Sequence, residues 1–259
     1  MPNLGIGSSL TSVGVITPGI VTDNLVLKHK YDAGAVVPVS DGAADINADA
    51  AANEYIDVGT IAISTGNVSM CAWVYVTEFG ATPNNASYIS NRDSDETNLG
   101  VALRNDGANS KFEAVLDYGG GVFQATSDTV NTNQWYHICA VFDRSDKAYL
   151  YVDGVEVDTD DISGQSSVNL NHDENAYIGK NQGSVETRGY ICNVGYWNAA
   201  LTQAQVKSIM WKNYAGLTSS ETTNLVSWWN LDTETNTSGE AGTGGVKDSE
   251  GTNHGELKP

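Results

Sequence analysis

The stretch NQWYHICAVFDRSDKAYLYVDGVEV, Asn133 to Val157, decides the fold of this 259-residue chain. Apolar and aromatic residues alternate along positions 136–142 and again along 148–152, and a polar turn separates the two runs. Alternation with a period of two predicts strands that bury one face. The pair Asp153-Gly154 supplies the positive-φ positions of a two-residue turn. The stretch therefore predicts an antiparallel hairpin, followed by a third strand that starts at Val155.

Similar runs recur about every ten residues, as in a sandwich or jelly roll. They predict strands at 25–30, 55–58, 67–76, 86–91, 99–104, 112–118, 121–127, 135–142, 147–152, 175–178 and 189–197. Thr202 and Gln205 form a capping box, which predicts one helix that ends near Asn213. The expected fold is thus all-β: an antiparallel two-sheet jelly-roll sandwich with one short helix near 202–213.

The sequence predicts three segments in the chain. Residues 1–23 carry no charged side chain before Asp23, so they are either a leader packed on the chain's own sheet or an arm that docks on a partner. Residues 24–232 form the predicted jelly roll, and 233–259 a Gly-rich loop with a C-terminal tail or strand. The motif at 24–32 returns at 224–232, and the second copy is expected to pair into the same sandwich or with a neighbouring subunit.

The formal net charge of −19 disfavours binding to nucleic acid and to anionic membranes. Residues 1–22 contain no Lys or Arg, so no secretion signal is predicted, and no apolar run is long enough to span a membrane. Cys71, Cys139 and Cys192 lie inside apolar runs, which predicts buried, reduced thiols, although a bridge between one pair stays open.

Five stretches carry a family resemblance. They are GAADINADAAANEYIDVG (42–59), NVSMCAWVYV (67–76), the hairpin at 133–157, AYIGKNQG (176–183) and RGYICNVGYWNAALTQAQV (188–206). Together they resemble the laminin G-like domains of the concanavalin A-like jelly-roll superfamily, over most of residues 24–232. The family often has an acidic pair where this chain has Cys192 and Asn193. The resemblance implies two antiparallel sheets and binding of glycans or proteins, often with Ca²⁺ at the rim.

The chain also resembles structural and fibre proteins of bacterial viruses. That resemblance implies a non-enzymatic virion surface protein with a lectin-like fold, a decoration, tail or fibre component assembled in the host cytoplasm. Residues 1–23 would attach it to other virion proteins, a glycan is a candidate ligand, and a homo-oligomer is expected. One alternative is a secreted or cell-surface glycan-binding lectin, located outside the cell. A second alternative is a glycoside hydrolase that cleaves polysaccharides.

Carboxylates in loops are the candidate Ca²⁺ ligands, since Ca²⁺ prefers oxygen donors. Asp93, Asp95 and Glu96 in the loop SNRDSDETN are the candidate set, and the alternative is that they are solvated loop carboxylates. Two further acidic clusters, at 158–161 and 173–174, are open to the same two interpretations. Glu156, Asp158 and Asp160 on one strand are the nearest approach to a hydrolase's acid pair.

Tyr118 is the candidate platform for stacking a sugar, because the glycines at 119–121 would open space around its ring. The alternative is an ordinary edge-strand tyrosine before a flexible turn. Trp73, Trp135, Trp197 and one of Trp228 and Trp229 are expected in the core.

Overall fold

The computed structural model describes residues 36–47, 54–79, 85–93, 99–182, 187–232 and 245–258. The predicted strand at 25–30 and the uncharged arm at 1–23 lie outside these ranges. No described helix is long and apolar enough to cross a membrane.

The described residues form two antiparallel sheets that pack face to face. The strands are β1 Ala44–Asn47, β2 Tyr55–Asp57, β3 Val68–Val76, β4 Ser87–Arg92, β5 Leu99–Asp106, β6 Lys111–Tyr118, β7 Val122–Thr126, β8 Trp135–Phe142, β9 Lys147–Val152, β10 Val155–Asp161, β11 Tyr177–Ile178, β12 Arg188–Trp197, β13 Leu225–Trp229, β14 Gly245–Val246 and β15 Gly255–Lys258. Sheet A has the order β1-β12-β3-β8-β9-β10, with β13 also paired to β12. Sheet B has the order β14-β15-β2-β11-β4-β5-β6-β7. The expected all-β sandwich is confirmed.

The hairpin that begins at Asn133 is confirmed in detail. Strands β8 and β9 pair antiparallel, and β9 continues through a tight turn into β10. Asp153 and Gly154 have φ values of 50° and 74°, as the turn requires.

Alternate residues of each central strand fill the space between the sheets. On β3, the side chains of Val68, Met70, Ala72 and Val74 are fully buried in this main core. Their removal from water is the dominant stabilising contribution. The intervening residues of β3 point to the opposite face of sheet A, which is the outer face of the sandwich.

A second apolar layer covers part of that outer face. Helix α1, Gln203–Ile209, packs Val206 and Ile209 over Cys71 and Trp228. The predicted capping box of Thr202 and Gln205 is present. The helix ends before the predicted Asn213, because the chain turns at Met210 and enters a 3₁₀ turn at Tyr214–Gly216. A second short helix, α2 at Ser219–Thr222, was not predicted.

The repeated motif near the C-terminus pairs within the same sandwich. Strand β13 adds to β12 in sheet A, whereas β14 and β15 belong to sheet B. The buried carboxylate of Asp248 accepts hydrogen bonds from the backbone N–H groups of Trp228, Glu250 and Asn253. It thereby links the segment before β15 to β13.

The prediction that all three cysteines are reduced was wrong. Cys71 on β3 lies directly opposite Cys139 on β8, and the two form a disulfide beneath α1. Cys192 is a free, buried thiol, and burial raises its pKa to about 12. The bridge that the sequence left open is therefore formed, because strand register brings together two residues 68 positions apart.

His137 on β8 makes folding stability depend on pH. It is buried beside the Trp73 ring, and burial lowers its pKa from 6.5 to about 3. Below about pH 6.5 His137 binds a proton in the unfolded chain but stays neutral in the folded protein. The free energy of unfolding therefore falls as the pH drops towards 3. The expected loss is about 1.4 kcal/mol per pH unit.

Urea unfolding at several pH values between 6.5 and 4 measures this effect. We expect His137→Phe to lose stability less steeply than the natural protein over that range, because phenylalanine cannot take up a proton. Parallel slopes for the two proteins would show that His137 is not the group responsible.

Candidate functional site

Three aromatic side chains lie side by side on the part of the outer face of sheet A that α1 leaves uncovered. Tyr75 on β3 is directly opposite Tyr190 on β12 and Trp135 on β8. The ring centroids of Tyr75 and Trp135 are 5.5 Å apart, and those of Tyr75 and Tyr190 are 5.7 Å apart. We call Trp135, Tyr75 and Tyr190 the aromatic row. It runs across three adjacent strands, so the backbone ladder fixes its spacing.

The rings pack on buried side chains beneath them and are partly exposed to solvent. Trp135 packs against the small cluster of Trp73, Cys192 and Met210, and the Trp73 indole N–H donates to the Met210 carbonyl at 2.9 Å. Trp135 and Tyr75 are half-buried, whereas Tyr190 is 39% exposed. Side chains held in this way lose little conformational entropy when a ligand settles on them.

Gly189 allows the close approach that brings Tyr190 beside Tyr75. Its φ is 135°, and a Cβ at this position would collide with the Tyr75 carbonyl oxygen. Only glycine adopts this conformation readily. The requirement for glycine at 189 is thus part of how the sequence builds the row.

Polar side chains border the row. Asp45 on β1 lies directly opposite Tyr190 and is exposed. Arg188, two residues before Tyr190 and therefore on the same face of the sheet, forms an ion pair with Glu78. An apolar surface with a few polar groups at its margin is typical of a saccharide-binding surface, in which rings stack and edges donate or accept hydrogen bonds.

The outer face of sheet B has a different character. Two ion pairs, Arg92–Asp117 and Arg104–Glu113, lie across its central strands, and both carboxylates are nearly fully buried. The Gln124 amide also donates to Glu113. Burial raises the pKa of Asp117, and the Arg92 guanidinium opposes that shift. The buried charges on this face are thus neutralised by partners within the protein.

A second aromatic pair lies on the same face of sheet B. The rings of Tyr55 and Tyr177 are 5.5 Å apart, and the Lys180 ammonium lies 3.8 Å from the Tyr55 ring centroid. A side chain of the protein itself therefore occupies that ring face, in contrast to the aromatic row.

Tyr118 does not have the open surroundings that its glycines suggested. Its ring packs against Phe123, with centroids 5.4 Å apart, and contributes to the edge of the main core. Cβ atoms at Gly120 and Gly121 would lie 2.7 and 2.8 Å from the Tyr118 ring and hydroxyl. Glycine fits at these two positions because the Tyr118 ring occupies the space that a larger side chain would need. Ligand binding by Tyr118 stays a prediction, but the glycines do not open space around its ring.

The proposed calcium ligands are only partly within the described residues. Asp93 directly follows β4, is 8% exposed, and its backbone N–H donates to the Leu99 carbonyl. Asp95 and Glu96 lie outside the described residues. Within the part of the chain that the structure describes, no three His, Cys, Asp or Glu side chains are grouped as a metal site requires. Binding of Ca²⁺ by Asp93, Asp95 and Glu96 therefore stays a prediction.

Two of the predicted acidic residues of β10 bind the edge of sheet B. The Asp158 carboxylate accepts from the Thr126 N–H at 2.8 Å, and Asp160 accepts from the Gln124 N–H at 2.9 Å. An edge strand exposes unpaired N–H groups, and these carboxylates cover two of them on β7. The β10 strand also has a register shift between Glu156 and Asp158, which breaks the simple alternation expected of the three acids.

This role predicts that Asp158 stabilises the fold through acceptance of a hydrogen bond. We expect Asp158→Ala to lower the free energy of unfolding by about 1 kcal/mol, and Asp158→Asn to cost less because the amide oxygen still accepts. Urea denaturation measures both, with Glu156→Gln as the control that changes one charge on the same strand. An equal loss in the Asn and Ala variants would contradict the hydrogen-bonding role.

The sequence interpretation assigned Trp135 to the core, and this is only half correct. Trp73, Trp197, Trp228 and Trp229 are each at most 1% exposed, whereas Trp135 keeps part of its ring at the surface. The sequence does hold a signal, because Tyr75, Trp135 and Tyr190 each lie at the outward position of a strand with an alternating pattern. Which residues lie opposite one another depends on register, which the alternation leaves open.

The family comparison agrees with this architecture. Residues 49–207 match the family Laminin_G_3, described as the concanavalin A-like lectin/glucanases superfamily. No curated protein matches the chain in sequence.

Several solved structures share the fold at low sequence identity. A putative carbohydrate binding protein from Bacteroides ovatus has a TM-score of 0.58 and 20% identity, over 80% of this chain and 55% of its own. A heptameric SAP-like pentraxin from Limulus polyphemus has a TM-score of 0.47 and 15% identity, over 63% of this chain and 78% of its own. Domain 4 of the arabinanase AbnA from Geobacillus stearothermophilus, in complex with arabinotriose, has a TM-score of 0.46 and 16% identity, over 60% and 69%. The chain thus spans about half the length of the Bacteroides protein, and these likenesses concern the fold.

Proposed function

The chain belongs to the concanavalin A-like lectin/glucanases superfamily, and from that premise we propose that it is a non-enzymatic glycan-binding module whose ligand lies across the aromatic row. The observation that carries the proposal is the register of Trp135, Tyr75 and Tyr190 on three adjacent strands, where none of the three residues is fully buried. The C–H faces of a sugar stack favourably on such rings. The Bacteroides ovatus protein that shares the fold is described as a putative carbohydrate binding protein, which is in keeping with the same class of ligand.

The non-enzymatic part of the proposal rests on how the carboxylates are used. Hydrolysis of a glycoside needs two carboxyl groups on either side of the bond that is cleaved. Asp158 and Asp160 are held by β7 backbone N–H groups, and Glu113 and Asp117 are paired with arginines. These four carboxylates therefore do not include a pair that is free to act on a bound sugar. Turnover of a polysaccharide that is lost in Glu156→Gln would overturn this part.

We propose a setting outside the cytosol. Disulfides persist in oxidising surroundings, and the Cys71–Cys139 bridge fits such a setting. The surface of a virus particle remains the proposed location, with a secreted or cell-surface lectin as the alternative. On a virus particle, residues 1–23 would attach the protein to other virion proteins, and the protein would form a homo-oligomer. Deletion of residues 1–23 tests the virion location, because incorporation into particles should then be lost. Unchanged incorporation would contradict attachment through this segment.

Binding to a glycan array tests the proposed function. We expect saccharide ligands to be retained by the natural protein and lost when Trp135 and Tyr75 are both replaced by alanine. The array is repeated with EDTA, and unchanged binding is expected because the row contains no metal ligands. Failure to retain any glycan, with or without Ca²⁺, would contradict the proposal.

A further inference from the structure

Asp45 extends the aromatic row onto a fourth strand. It lies opposite Tyr190 in the β1–β12 register, so its carboxylate and the Tyr190 ring project from the same face of sheet A. Its side chain is exposed, and within the residues that the structure describes it takes part in no ion pair. The surface is therefore asymmetric, with an indole at one end and a free carboxylate at the other.

Arg188, the cation next to Tyr190 on β12, is already paired with another carboxylate. Arg188 lies one pleat from Tyr190, and its guanidinium is paired with the Glu78 carboxylate. Asp45 thus leaves an excess negative charge at its end of the row, on a protein whose formal net charge is −19. Such a field attracts cations and repels uronates, sulfated sugars and other anionic saccharides.

Aromatic faces add to this preference. A cation placed over a tyrosine or tryptophan face is attracted by the negative quadrupole of the ring, and a carboxylate at the margin strengthens the attraction. The ring planes of the row are tilted, at 65° between Tyr75 and Trp135 and 59° between Tyr75 and Tyr190. A tilted row suits a single saccharide chain better than the flat face of a crystalline polymer.

We propose that the aromatic row and Asp45 select glycans that carry a free amino group. The sugar rings stack over Trp135 and Tyr75, and an ammonium group lies over Tyr190 within reach of the Asp45 carboxylate. This inference rests on the proposed glycan-binding function and names its ligand class. Asp45 is the residue that distinguishes an amino sugar from its N-acetylated or hydroxyl counterpart, because neither of these carries the charge.

Calorimetric titration with two oligomers of equal length tests the inference. One is built of glucosamine and the other of N-acetylglucosamine, at a pH where the free amine is protonated and at low salt. We expect the natural protein to bind the glucosamine oligomer roughly five- to tenfold more tightly. Asp45→Asn should reduce that preference to about two- to threefold, the part that the cation–π attraction of the rings retains, while affinity for the acetylated oligomer is unchanged.

Asp173→Asn is the matched control, since it removes one exposed loop carboxylate and leaves the row intact. It should keep the full preference for the amine. Equal binding of both oligomers by the natural protein would overturn this inference and leave the glycan-binding function standing. Binding of neither oligomer, together with an empty glycan array, would instead contradict the function itself.

Polylysine distinguishes a saccharide site from simple charge attraction. We expect Trp135→Ala to weaken binding of the glucosamine oligomer and to leave any binding of polylysine unchanged. An equal response of both ligands to Trp135→Ala and to Asp45→Asn would overturn the proposal, because peptide amines would then occupy the same surface.

Discussion

Replacement of Trp135 by alanine is expected to reduce glycan affinity by roughly 30-fold. The indole is the largest ring of the aromatic row, and loss of its stacking surface removes about 2 kcal/mol of binding free energy. Tyr75 is the central ring, in contact with both neighbours, so Tyr75→Ala should have an effect of similar size. Titration calorimetry with a ligand found on the array measures each loss.

Two further variants keep this prediction interpretable. Trp135 packs on Trp73 and Met210, so its replacement also loosens the fold to some degree. Tyr190→Ala removes a more exposed ring and should weaken binding with little change in thermal stability. Tyr55→Ala removes a half-buried tyrosine from the opposite face of the sandwich and should leave binding unchanged. Loss of binding in Tyr55→Ala alone would place the ligand on sheet B.

Reduction of the Cys71–Cys139 disulfide is expected to destabilise the protein by about 4 kcal/mol. The bridge closes a loop between residues 68 positions apart, and a loop of that length loses much conformational entropy in the unfolded chain. For a domain of this size, the corresponding fall in melting temperature is about 10 °C. Calorimetry of the oxidised protein and of the Cys71→Ala, Cys139→Ala double variant measures the difference.

Counting thiols gives an independent control for the same prediction. The denatured, unreduced protein should show one reactive thiol per chain, that of Cys192. Cys192→Ala should abolish that signal and keep the disulfide. Three reactive thiols in protein prepared under oxidising conditions would contradict the bridge.

Local sequence features predicted much of the fold, because they depend on neighbouring residues. Alternation along 136–142 and 148–152 and the Asp153-Gly154 turn gave β8, β9 and their connection to β10 correctly. The Thr202 capping box gave the start of α1. Its end was placed too late, because the pattern through Asn213 continues after the backbone has left the helix.

The candidate site could not be predicted in the same way, because it depends on register between strands distant in sequence. Tyr75 and Tyr190 are neighbours only through the pairing of β3 with β12, which contains a register shift between Cys192 and Gly195. The disulfide requires the register of β3 with β8. The β7 amides that bind Asp158 and Asp160 lie on another strand, so the sequence showed only an acidic cluster.

A crystal structure of the protein with its tightest array ligand tests the central claim most directly. We predict sugar rings in van der Waals contact, within about 4 Å, with Trp135, Tyr75 and Tyr190 on the outer face of sheet A. A saccharide bound instead beside Tyr118, at the loop that follows Asp93, or on the outer face of sheet B would contradict the claim.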